Sequence, residues 1–360
     1  MTWLATHTPL RGARRILPAA FPAEMPRGSL LMEIAPPGPC PRGLWLLGHR
    51  DRSGEGWWLA LDVLPEGRLQ LRMARGAQQL RLVLSGWAEA SSDPMRLTFS
   101  WDCTAGRSLL SLENPVTGAL RQAELAAALP VPGRALEGLF AAPRAHRDRA
   151  VMWFAAATHV HRPGPCPGLA GQTLIATPTG PRPAASLRSG DWVTTLDNGP
   201  QPLRWCGRVT VPALGGFAPL RMVAPYFGLE RDLVLAPQQR LLLSGIDVED
   251  TLGHDEVLAE ARHLADGIAA LPDTGAATVT WHGLLLERHE LILAEGHAVE
   301  SLYAGSLARR PDLAATTLLA RLAATGTLPL HRHPVRPELH EHEARGLCLK
   351  RMRARGPLAA

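Results

Sequence analysis

This 360-residue chain has a single lysine, Lys350, and only two tyrosines. Its formal charge of +5 therefore rests on arginine. No basic run is interleaved with aromatic residues, which argues against nucleic acid as a partner. The segment Lys350-Arg351-Met352-Arg353-Ala354-Arg355 reads as a solvated end. Cysteine is sparse and odd in number, at Cys40, Cys103, Cys166, Cys206 and Cys348, with no Cys-x-x-Cys pair. That excludes a disulfide framework and a zinc knuckle. No apolar run is long enough for a membrane-spanning helix. Arg14-Arg15 is followed by Pro18 and Pro22, a poor leader peptide. The expected location is the cytoplasm, or outside the cell by a route that reads no N-terminal signal. No solenoid-length repeat and no low-complexity tract is present.

What remains is a globular composition, 46% hydrophobic, in a chain long enough for two domains. Residues 1–27 read as an irregular arm. Residues 28–156 read as strands. Leu69, Leu71 and Met73 alternate with Arg68, Gln70 and Arg72, so one face is buried and the other wet. Leu80, Leu82 and Leu84 repeat the alternation, as do Leu97, Phe99 and Trp101. Many short strands broken by Gly, Pro and Asn predict a β-sandwich. Trp57, Trp87 and Trp101 are expected in its core, because large aromatics alternating in strands are usually packing. The scarcity of tyrosine weakens a sugar-stacking face. Asp102 and Glu113 are too few to claim a calcium site.

His161-Arg162-Pro163-Gly164-Pro165-Cys166-Pro167 reads as part of a linker over residues 157–167, the clearest domain boundary. Residues 168–310 again read as strands. Residues 311–360 form a helical tail. One helix is expected over 312–324, with Leu313, Leu318, Leu319 and Leu322 as its stripe and Asp312 as its cap, and a second over 338–353. His331, His333, His340 and His342 with Glu341 and Glu343 invite a metal reading. Pro334 and Pro337 and the lack of a rigid scaffold argue against it, and no metal or cofactor is expected. His254, Asp255, Glu256 and His263 read as solvated, and Cys206 as a small core residue.

Two resemblances sharpen this reading. Arg96 to Gly118, with Ser100-Trp101-Asp102 and Leu109-Leu110-Ser111-Leu112-Glu113-Asn114, resembles a laminin-G or concanavalin-like jelly roll. Its relatives often bind glycans or proteins at loop ends. Gly168-Leu169-Ala170-Gly171-Gln172-Thr173-Leu174-Ile175-Ala176-Thr177-Pro178-Thr179-Gly180, followed by Ser189-Gly190-Asp191-Trp192-Val193 and Asp197-Asn198-Gly199, resembles the opening of a bacterial Hint domain, the Hedgehog/intein fold that cuts or splices its own chain. Leu284-Leu285-Leu286-Glu287-Arg288-His289-Glu290-Leu291-Ile292-Leu293 continues the match. Pro337-Glu338-Leu339 resembles the tail that follows such domains. The expected fold is mostly β: a jelly-roll-like sandwich, an all-β Hint domain and a short helical tail.

The resemblance implies a chemistry. The first residue of a Hint domain is a Cys or Ser that attacks the preceding carbonyl in an N–S or N–O acyl shift, and a Thr/Ser-x-x-His motif supplies the acid for the departing nitrogen. Here the nucleophile position falls on Gly168. The motif falls on Ala236-Pro237-Gln238-Gln239, so Ala236 replaces the hydroxyl and Gln239 the histidine. Glutamine donates hydrogen bonds but is no acid near neutral pH. His289 is retained, and is expected to be structural with its partners gone. No His-Asn pair closes the domain, so splicing at a second junction is not expected. The resulting expectation is a catalytically degenerate module, a pseudoenzyme. One alternative is autoproteolysis through Cys166, the chain then being its own substrate. A two-residue slip along an extended entry displaces a side chain by about 7 Å, against an attack distance of about 3–3.5 Å. The other alternative is a glycan- or surface-binding protein acting through the sandwich.

Overall fold

The computed structural model describes residues 2–17, 20–35, 42–54, 56–85 and 93–354. Cys40, Trp87 and Arg355 lie outside the described residues. The chain divides into two units, 1–164 and 165–360.

The first unit is a β-sandwich. One sheet has seven antiparallel strands in the order Leu120–Leu125, Arg107–Glu113, Met95–Asp102, Arg27–Ile34, Val151–Ala157, Trp3–Thr8 and Gly12–Arg15. The other has five, in the order His146–Arg147, Leu44–Asp51, Trp57–Val63, Leu69–Arg75 and Gln78–Leu84. The alternating residues do what the period of two requires: Leu59, Leu61, Leu71, Met73, Leu80 and Leu82 from one sheet meet Met32, Leu97 and Phe99 from the other in one core. Trp57 and Trp101 are buried in that core, as expected. The helix Gly133–Ala141 adds Leu136, Leu139 and Phe140 to it.

One expectation fails in this unit. The stretch expected as an irregular arm contributes the Trp3–Thr8 and Gly12–Arg15 strands, because Trp3, Leu4 and Ala5 are buried and Trp3–Thr8 pairs with Val151–Ala157. The division between the units falls inside the expected linker 157–167, whose first part is held by Ser29: its Oγ donates to His159 O at 2.9 Å and accepts from His161 N–H at 2.8 Å. Asp102 and Glu113 are not brought together. Asp102 pairs with Arg107 in register and Glu113 with Arg96, at opposite ends of one hairpin. Asp102 Oδ1 accepts the N–H groups of Thr104 and Ala105, while Glu113 is buried 3.6 Å from Arg96 Nη1.

The second unit is built on two further antiparallel sheets. One runs Trp205–Pro212, Thr278–Leu285, Leu169–Ala170, Leu233–Leu235, Leu220–Met222, Ala270–Pro272. The other includes Leu174–Ile175, Leu291–Ala294, His297–Glu300, Arg240–Ser244 and Glu256–Glu260. Both bury their aliphatic faces in one cluster that includes Leu169, Ile175, Leu235, Leu241 and Ile292. The expected 312–324 helix is two short turns, Pro311–Ala314 and Ala320–Ala324, with Pro311 rather than Asp312 opening the first. Thr316 and Thr317 interrupt it by turning their hydroxyls back to Leu313 O and Ala314 O at 2.7 and 2.8 Å. The last helix is Glu341–Ala354. In it Lys350 stays exposed with one hydrogen bond, to the Thr251 hydroxyl, while Arg351 is half-buried and bonds Asp247.

Candidate functional site

Leu169–Ala170 is a short strand held on both sides. Leu169 pairs with Leu235 on one neighbour and with His282 on the other. Gly168, at its entry, is tied to the turn after Leu233–Leu235: Ala236 N–H donates to Gly168 O at 2.8 Å, and Gln239 N–H closes the turn on Ala236 O at 3.0 Å. The structure thus brings Gly168, Ala236 and Gln239 together.

The contact is close. A Cβ added to Gly168 would lie 2.7 Å from the Gln239 Cβ and 3.0 Å from its Cδ, nearer than ordinary van der Waals contact. The Gln239 side chain is 8% exposed and donates from Nε2 to Glu300 O at 3.0 Å. Ala236 is fully buried. Beside them both amide atoms of the Gln238 side chain are sealed from solvent without a hydrogen-bond partner.

His289 is buried, and its Nδ1 accepts the Val335 N–H at 3.0 Å. In the neutral ring the proton is then on Nε2, 3.2 Å from Glu300 Oε2 but not aligned as a hydrogen bond. The ring lies against Tyr303 and His331, with centroids 4.8 and 5.9 Å away. Burial pushes the Glu300 carboxyl up, but Arg240 at 3.1 Å, with His289, holds it below the usual carboxylate range. His331 is pushed down to about 4, chiefly by burial. Its Nδ1 accepts from Ala304 N–H and its Nε2 donates to Leu286 O, both at 3.2 Å.

Cys166 is half-buried, with Sγ 3.4 Å from Pro167 O. Both ring nitrogens of His289 face other groups, Val335 and Glu300, so the structure does not pair this histidine with Cys166. Cys206 packs partly buried against the core, its thiol pushed up to about 12 by burial and then by Asp191. The tail histidines do not converge. His331 is buried, His340 and His342 stack at 5.9 Å, and no metal-sized group of His, Cys, Asp or Glu exists among the described residues. Two residues expected as solvated are not: Glu256 bonds Arg336 at 2.6 Å, and His263 is lowered to about 4 chiefly by burial.

Sequence reading missed three participants. His282 lies beside the entry strand, its Nε2 3.0 Å from where a Cβ on Gly171 would sit, and burial lowers its pKa. Glu300 and Tyr303 close around His289. Glu300 and Tyr303 lie in Glu300-Ser301-Leu302-Tyr303, which continues the Hint resemblance, but no role could be read for them or for His282 from the sequence.

Residues 167–306 match the family model of the Hint domain. This segment is a Hint domain. No curated protein matches the chain. Among solved structures, tailspike protein 2 of the Escherichia coli O157:H7 bacteriophage CAB120 aligns at 15% identity and a TM-score of 0.25, covering 43% of this chain. The match spans only 22% of the tailspike. The CBM40 of the Ruminococcus gnavus IT-sialidase, bound to α2,3-sialyllactose, aligns at 11% identity and a TM-score of 0.24, covering 39% of this chain and 78% of that one. The LG1-3 region of the laminin α2 chain aligns at 7% and 0.27, covering 78% of this chain and 52% of that one. Scores of this size carry no functional argument. Within the Hint domain, the turn Ala236 to Gln239 folds onto the entry strand.

Proposed function

We propose that this Hint domain does not process its own chain and serves as a structural or binding module that follows a β-sandwich. The observation that carries this reading is Gln239 packed on Gly168. An acyl shift needs a side-chain nucleophile at the entry and an acid at the turn. Gly168 has no side chain, and Gln239 occupies the space into which one would project. Loss of a general acid alone slows such a step by about 100 to 10,000-fold. Loss of the nucleophile removes the step. Autoproteolysis through Cys166 is the less supported alternative, since its Sγ lies against Pro167 O and His289 serves Val335 and Glu300. Incubating the full-length protein with dithiothreitol or hydroxylamine, beside Cys166→Ala, separates the two. A stable intact mass fits a degenerate domain, and a Cys166-dependent break fits the alternative.

A second reading, glycan binding by the sandwich, rests on the outer face of the five-stranded sheet. Trp45 is 46% exposed, lies over Gly48 and stacks on His146 at 4.1 Å and 13°. On the same face Arg72 sits over the Trp58 ring and bonds Asp62 at 2.8 Å. Aromatic rings beside planar polar groups are the complement of a sugar, whose ring presents apolar C–H faces and hydroxyl edges. Retention of the full-length protein on immobilised polysaccharides, lost in Trp45→Ala, tests it.

A further inference from the structure

The Hint domain contains a cavity of about 500 Å³ away from the entry strand. Its lining includes Leu242 and Leu243, neighbours on one strand and both buried, and Ile246, 76% exposed at the start of the Ile246–Leu252 helix. Phe227 in its lining has φ +58°, a left-handed backbone that aromatic residues rarely adopt and that tends to be kept where a ligand is clamped. A cavity of this size, lined by apolar residues together with Ser244, Asp247, His297, Lys350 and Arg351, falls in the range of small-ligand sites.

The charged lining residues decide the ligand's charge. Arg351 is spent: Nε and Nη2 hold Asp247 at 2.6 and 3.2 Å, and Nη2 also reaches Ser244 O at 2.9 Å. Arg351 with Asp247 is therefore a neutral pair. His297 donates from Nε2 to Leu242 O at 3.0 Å, and burial favours its neutral form. Lys350, the chain's sole lysine, has only the uncharged Thr251 hydroxyl, at 2.8 Å. Among the described residues no carboxylate forms an ion pair with it. The cavity thus offers an apolar body site and one uncompensated positive charge on a flexible stem.

We propose that this cavity binds a small amphipathic monoanion, an aliphatic carboxylate whose chain lies against the apolar lining at Ile246 and whose head meets Lys350. The proposal does not depend on whether the domain processes itself. It is tested by titrating the full-length protein with sodium octanoate and, separately, with the uncharged octanamide, followed by calorimetry. Octanoate is expected to bind saturably and more tightly than octanamide. Lys350→Met is expected to weaken octanoate roughly fivefold, the size of an exposed ion pair, and to leave octanamide unchanged. Lys350→Arg should retain binding. Ile246→Asn, at an exposed position that does not threaten folding, should weaken both ligands. Vesicles of phosphatidylcholine and phosphatidylglycerol distinguish a free carboxylate from a lipid surface. Binding to vesicles without saturable octanoate binding would overturn the proposal. So would equal binding of octanoate and octanamide, or indifference of octanoate to Lys350→Met with unchanged thermal stability.

Discussion

The side chain of Gln239 closes over Gly168 so tightly that a Cβ at position 168 would sit 2.7 Å from the Gln239 Cβ. The relation is reciprocal. A residue without a side chain at the entry lets the turn approach, and the turn in turn forbids a side chain there.

Gly168→Ala should therefore destabilise the domain, by about 1–3 kcal/mol if it behaves as ordinary overpacking. Adding Gln239→Gly, which removes the opposing Cβ, should recover part of the loss. Urea midpoints of the full-length variants measure both. An indifferent Gly168→Ala would mean that the turn yields freely.

This closeness also bears on restoring the chemistry. Gly168→Cys/Ala236→Ser/Gln239→His installs the three groups that the proposed degeneracy lacks but keeps a Cβ on both sides of the contact. Processing by this variant is expected only if the turn shifts outward by several tenths of an ångström. Cleavage before residue 168, read by intact mass, would report that shift. Absence of cleavage with a lowered midpoint would report the clash.

Acid should loosen the fold through buried histidines. His331 and His263 are lowered to about 4, chiefly by burial. In the unfolded chain they take up protons near their ordinary value, while the folded chain stays unprotonated until about 4. The unfolded state then binds more protons, and stability falls as pH drops from about 6.5 toward 4. His331→Asn should flatten the slope of stability against pH over that window. An unchanged slope would exclude His331 as a contributor.

Much of the architecture was legible because it depends on local pattern. Leu69, Leu71 and Met73 face the core as their alternation requires, although Gln70 on the opposite face is only 5% exposed because Arg81 bonds it from the next strand. The resemblance to Hint domains singled out Gly168, Ala236 and Gln239, but their mutual contact could not be read from the sequence. The Trp3–Thr8 strand was not legible, since its burial is set by pairing with Val151–Ala157, almost 150 residues away in the chain. His289 was expected to be structural, but its partner was equally hidden. Its partner, the Val335 N–H, comes from the tail, and no side-chain motif marks a backbone donor.

That tail segment is held by Arg336, which bonds both oxygens of Asp197 at 2.7 and 3.0 Å and Glu256 at 2.6 Å. A bidentate guanidinium fixes position as well as charge. Arg336→Gln should release the segment around Val335 and speed its proteolysis and amide exchange, with little change in the sandwich. Protection that stays the same at Val335 would mean that the Pro337 and Leu339 bonds to Leu258 suffice.

The central claim, that the Hint domain leaves its own chain whole, is tested most directly by the intact mass of purified full-length protein after prolonged incubation with dithiothreitol or hydroxylamine. The account predicts one mass, that of all 360 residues, in both the wild type and Cys166→Ala. Two fragments joining near residue 165 or 167, present in the wild type and absent in Cys166→Ala, would contradict it.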